Sequence, residues 1–203
     1  MEQVRSRSGA LLSQLGVLVT LGLASAFLHT YAKLRLGIPG HSAVLWITPL
    51  LIGRCLSPMR AAGTAASTTT ALGLYCLRGF SLRWPVLLSF GTYWAVGPAL
   101  DFYVLLLDKL VGNPDRTRSV LAGPLGIVFL AIAGVVANYA HLASKVLLAV
   151  IRSHTPRFGL APGLYEMATY LVFGLAAGIL AFVLARPLLK RRGAQGKDAQ
   201  RTG

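Results

Sequence analysis

The stretch "AIAGVVANYAHLASKVLLAVI", residues 131–151, decides how this chain is read. It is long enough to cross a bilayer, which needs about 20 apolar residues in a helix. Yet Asn138, His141 and Lys145 interrupt it at spacings of three and four, so they share one stripe of a helix. Polar groups inside such a run are costly unless they face other helices or a water-filled cavity. The rest of the chain repeats the apolar pattern. Runs free of Asp, Glu, Lys and Arg cover residues 8–32, 36–53, 61–77, 84–100, 119–144 and 167–185. The fourth extends past Asp101 to about residue 107, and the fifth past Lys145 to residue 151. Pro39-Gly40 breaks the second, which starts near His41.

Composition agrees with that pattern. Of 203 residues, 55% are hydrophobic and 13% charged, too apolar for a soluble domain of this size. The expected fold is therefore an all-α integral membrane protein, with about six transmembrane helices in one bundle over residues 1–192. A polar, disordered tail is expected over 193–203. Formal net charge is +14, but the basic residues sit between the apolar runs rather than on one face, so they are topology signals and not a nucleic-acid surface. Thirteen fall on the side that holds both ends. Six fall on the other, namely Lys33, Arg35, Arg78, Arg83, Arg152 and Arg157, with Lys145 inside a span. The excess predicts cytoplasmic termini and a multi-pass cell-membrane protein, of a prokaryotic kind since no other targeting signal is present. Arg5, Arg7 and Ala24-Ser25-Ala26 also fit a cleavable signal, although the apolar run continues to Ala32.

On this topology Lys145 lies in the outer part of the fifth helix and Glu166 near the outer start of the sixth. An amide, an imidazole and an ammonium on one stripe suit an outward-facing pocket for a polar or anionic small molecule, with Glu166 neutralising Lys145 or accepting from the ligand. The alternatives are snorkelling for Lys145 and interhelical hydrogen bonding for Asn138 and His141. Trp84, with Trp46, Trp94, Tyr165 and Tyr170, falls in the outer half, where aromatic rings form an interfacial belt or stack on a flat heterocycle. The turn "RLGIPGHSA", residues 35–43, holds His41 at the membrane edge as a lid or a plain connection. Asp101 has no evident partner and reads as one half of a structural ion pair or as hydrated. Thr64 and residues 67–70 read as hydroxyls bonded back to their own helix. Small residues at four-residue spacing, among them Gly22 and Ala26 in the first span and Gly174 and Gly178 in the last, mark helix contacts or a docking face for another subunit.

The chain lacks a phosphate loop, an H-E-x-x-H motif and a G-x-S-x-G nucleophile elbow. Its four histidines, His29, His41, His141 and His154, have no metal-ligand spacing, and Cys55 and Cys76 are isolated, so no metal and no cofactor is expected.

Three stretches carry a family resemblance: "ITPLLIGRCLSPMRAAGT" at residues 47–64, "ANYAHLASKVLLAVI" at 137–151, and "ATYLVFGLAAGILAFVLARPLLKRR" at 168–192. With about 200 residues, six spans and a Pro-containing outer loop, the chain resembles the substrate-binding S component of an energy-coupling factor transporter. The resemblance implies an outer pocket built by the first loop and the outer halves of helices four to six. It also implies a small-residue face on the first helix, here Gly22 and Ala26, that meets a transmembrane coupling subunit driven by separate ATPases. That track departs from the family's A-x-x-x-A pattern. The start "MEQVRS" lacks the Met-His opening of cobalt-binding relatives, which points to a vitamin or its precursor rather than a metal. On this reading the chain is not an enzyme. An integral-membrane lipid-modifying enzyme and a non-catalytic membrane scaffold are the alternatives.

Overall fold

The computed structural model describes residues 2–32, 38–79, 84–152 and 163–201. Among them the chain is all helix: α1 (Glu2–Tyr31), α2 (Ala43–Leu56), α3 (Ala62–Leu77), α4 (Trp84–Trp94), α5 (Val96–Val111), α6 (Pro114–Ala122), α7 (Gly126–Arg152) and α8 (Leu164–Arg201). Three segments are long and apolar enough to cross a membrane: Leu11–Tyr31, Gly126–Ile151 and Leu164–Leu189. Lys33, Arg35, Arg83, His154 and Arg157 lie outside the described residues, as does the Trp84 side chain.

The bundle is assembled around α2. Ten of its residues are buried, including Trp46, Ile47, Leu50 and Leu51, and α1, α3, α5, α7 and α8 all pack on it. A helix that is apolar all round belongs at such a centre. Its outer neighbours invert the soluble pattern. On α1 the large side chains Leu12, Leu23 and Phe27 are exposed, while Leu18, Ser25 and Ala26 are fully buried. Small residues turned inward and bulky apolar ones outward are what a helix does when its surroundings are as apolar as leucine.

Small residues let backbones touch. A Cβ on Gly134 of α7 would lie 2.1 Å from the Gly174 carbonyl oxygen, and one on Gly178 would lie 2.0 Å from that of Leu130. The Gly174/Gly178 spacing thus marks the α7–α8 seam. On α1, Gly22 lies against Ala66 and Thr69 of α3, and Ala26 against Gly73. This corrects the assignment of the Gly22–Ala26 track to a partner subunit, because α3 of the same chain already covers it.

Two elements differ from the expected six runs. The fourth run is split at Ala95 into α4 and α5. Pro98 has no N–H to offer the Trp94 carbonyl; Ser67 Oγ lies 3.1 Å from that oxygen instead. The fifth run begins at Gly126 rather than 119, since residues 119–122 complete α6. Gly112, at φ 83°, ends α5, and Asn113-Pro114 opens α6, the residue types that stop and start helices. At the far end α8 continues through residue 201, where a tail was expected from 193. Ala194, Gln195, Lys197, Ala199 and Gln200 are good helix formers that offset Gly193 and Gly196, and no proline follows Pro187 to stop the helix.

Candidate ligand-binding site

Asn138, His141 and Lys145 do share one stripe of α7, and each is engaged. Asn138 is fully buried and its Nδ2 donates to the Tyr170 carbonyl of α8 at 2.8 Å. Its Oδ1 is buried, with no hydrogen-bond partner among the described residues. His141, 4% exposed, places Nδ1 3.0 Å from the Thr92 carbonyl of α4. A carbonyl only accepts, so Nδ1 carries the proton and Nε2 is the acceptor of the neutral ring. Lys145 Nζ donates to the Tyr170 hydroxyl at 3.2 Å. Its side chain reaches the surface, and among the described residues no carboxylate pairs with it.

Rings gather around His141. Its centroid lies 5.0 Å from that of Trp46 and 4.9 Å from that of Tyr93. His29 of α1 completes the group, 5.1 Å from Tyr93 between centroids and with Nε2 2.8 Å from the Tyr93 hydroxyl. These separations suit edge-to-face packing of aromatic quadrupoles. Trp46 is held at its backbone by Ser25 Oγ, 2.6 Å from its carbonyl. The cluster therefore ties α1, α2, α4, α7 and α8 together at the end of the bundle where α1, α3 and α7 finish. The rings occupy the space that the sequence reading assigned to a ligand.

The turn before α2 covers this end. Gly40, at φ 77°, sits on the Tyr170 ring, where a Cβ would come within 3.1 Å of Cδ2. His41 bonds the Ile38 carbonyl through Nδ1 and stacks edge-on at 6.4 Å from Phe173. The turn over Tyr170 thus stands over the residue that holds both Asn138 and Lys145. Glu166 does not join them: it is exposed and makes no ion pair with Lys145. One reason is local, since Glu166 opens the first turn of α8 while Tyr170, a turn further in, takes the lysine.

A second polar node lies at the opposite end. Asp101 of α5 is 7% exposed and accepts from the backbone N–H groups of Gly63 and Thr64, at 2.9 and 2.8 Å, and from Thr64 Oγ1 at 2.7 Å. Those amides belong to the first turn of α3, which has no partner of its own for them and whose dipole favours an anion. Arg54, in the last turn of α2, completes the node with Nε 2.9 Å from Asp101 Oδ1. The sequence reading of Asp101 as one half of a structural ion pair holds; it did not name the partner, although a basic residue at one span end and an acidic one inside another was a usable signal. Tyr93 and Thr92 were missed as site residues, and His29 of α1 was weighed only as one of four histidines without metal-ligand spacing.

Beside Arg54 the described residues enclose a cavity of about 120 Å³. It is not the outer pocket the sequence led one to expect.

Comparison with protein-family models, with curated proteins and with solved structures gives no match. What is established is an all-helical chain with three helices long and apolar enough to span a membrane.

Proposed function

We propose that this chain is a membrane-embedded capture subunit that takes a flat, polar or anionic small molecule from outside the cell and relies on separate coupling and ATPase subunits to move it. Six crossings are formed by α1, α2, α3, the broken pair α4–α5, α7 and α8, with both termini cytoplasmic. The 14 residues of α2 rise about 21 Å, less than a hydrocarbon core of about 30 Å. Its enclosure by other helices lets it cross without meeting lipid along its full length.

The observation that carries this reading is the Asn138 Oδ1 atom. A buried carbonyl oxygen left without a donor costs about 1–3 kcal/mol, so native proteins usually satisfy it with a protein group, an ordered water or a bound molecule. A ligand N–H or O–H would do so. His141 Nε2 offers a second acceptor, Lys145 supplies a cation for a carboxylate or phosphate, and Trp46 and Tyr93 supply ring faces for a heterocycle such as a vitamin or its precursor. Binding then requires the 38–42 turn to lift from Tyr170 and the rings to part.

Mass spectrometry of small molecules released from the detergent-purified protein tests this. The native protein is expected to carry one compound in stoichiometric amount, and the variant Asn138→Ala, His141→Ala, Lys145→Met to carry at least tenfold less while remaining monodisperse. If the native protein carries none and binds no vitamin-like compound, the stripe only knits helices. The bonds that Asn138 and His141 already make favour that scaffold reading as the alternative.

A further inference from the structure

The end of the bundle that holds the ring cluster has a charge imbalance. Residues 32–42, 78–83 and 152–163 join the helices there, and they contain six Lys or Arg and no Asp or Glu. Lys145 adds to that excess. Of the six carboxylates in the chain, only Glu166 belongs to this end; the others stand at the start of α1, on α5 and α6, and near the end of α8. This count covers the whole sequence, so no carboxylate outside the described residues balances the cations here.

Two of the cations are fixed beside the rings. Arg78 follows the last residue of α3 and sets its guanidinium carbon 6.0 Å from the centroid of Tyr93. Lys145 stands one turn beyond His141 on α7, whose ring lies 4.9 Å from that same Tyr93 ring. Its ammonium is within electrostatic reach of Tyr93 as well. The bond to the Tyr170 hydroxyl uses one of three N–H donors on Lys145, and the Arg78 guanidinium makes no hydrogen bond among the described residues. Both side chains are exposed, and among the described residues neither is ion-paired. Cations of one sign along a low-dielectric wall focus the field on an approaching anion. A guanidinium fork matches the paired oxygens of a carboxylate or phosphate, which an ammonium alone does not.

We propose that Arg78 and Lys145 form an anion site at the mouth of the ring cluster, which takes a carboxylate or phosphate group and makes Arg78 a determinant of charge specificity. This deepens the capture reading, on which it rests for the molecule that bears the group: the captured class is an acid, and neutral or cationic analogues are rejected. A phospholipid head offers the same phosphate, and the test separates the two sources.

Acylation of lysines by an amine-reactive ester, read residue by residue by peptide mass spectrometry, tests the site without knowledge of the captured compound. The purified full-length chain is used in a neutral detergent at constant ionic strength. Inorganic phosphate in excess over its Kd is expected to slow modification of Lys145 by about fivefold, because the free fraction of a site falls with [L]/Kd. Modification of Lys109, exposed at the opposite end, is expected to stay unchanged. The protection should be lost in Arg78→Gln and kept in Arg60→Gln, which removes the same charge before α3. Protection by short-chain phosphatidylglycerol and not by inorganic phosphate overturns the proposal in favour of a lipid head. Absence of protection by either probe, equal protection of Lys109, or protection that survives Arg78→Gln also overturns it. The capture reading fails separately: protection at Lys145 in a native protein that carries no compound keeps the anion site and removes the capture.

Discussion

Asp101→Ala is expected to lower stability by about 3–5 kcal/mol, as removing one partner of a buried ion pair does. The change strands the Arg54 guanidinium, 8% exposed, and leaves the Gly63 and Thr64 N–H groups without an acceptor. Denaturation of the detergent-solubilised protein, followed by tryptophan fluorescence, measures it. A companion variant separates the charge from the packing. Arg54→Met/Asp101→Asn removes both charges, and an apolar or neutral replacement of similar volume often costs little. The double variant should therefore be more stable than Asp101→Ala alone. If it is equally or less stable, the node acts through packing and capping rather than through charge.

The second large effect is expected at Gly178. There a Cβ meets the Leu130 carbonyl carbon at 2.5 Å and the Ala131 Cα at 2.6 Å as well as the carbonyl oxygen. Backbone atoms of a helix cannot step aside as a side-chain tip can, so α7 and α8 must separate. Overpacking a tight seam costs about 1–3 kcal/mol or more, and here Gly178→Leu strikes the most extensive helix pairing in the bundle. The expected result is loss of the monodisperse peak in size-exclusion chromatography. Gly9→Leu is the control, because a Cβ there meets nothing within 4 Å. A monodisperse Gly178→Leu protein would show that the seam is looser than its backbone spacing indicates.

These two sites show how much of the molecule was legible in its residues. The Gly174/Gly178 spacing identified a contact face because small residues on a helix have little other use there. The apolar runs gave the long helices for the same kind of reason: hydrophobic length is a property of the chain itself. The break at Ala95 was harder to see, since Pro98 interrupts the hydrogen bonding without interrupting the hydrophobicity. The stripe of Asn138, His141 and Lys145 followed from helical period alone. Its partners did not, because the Tyr170 and Thr92 carbonyls are backbone groups that any sequence possesses. Gly22 and Ala26 were read correctly as a packing track, but a four-residue spacing cannot say whether the helix that covers it belongs to the same chain.

Whether the ring cluster opens away from the cytoplasm is the claim on which the capture reading turns, and labelling of a single cysteine tests it most directly. Cys55→Ala and Cys76→Ser remove the native thiols, and Lys145→Cys places one at the rim of the cluster, where the native side chain reaches the surface. In intact bacterial cells, a membrane-impermeant maleimide is predicted to label that cysteine without permeabilisation, and the compound released from the native protein to slow the labelling. Labelling only after the cells are permeabilised would place the cluster on the cytoplasmic side and contradict an outward-facing capture site.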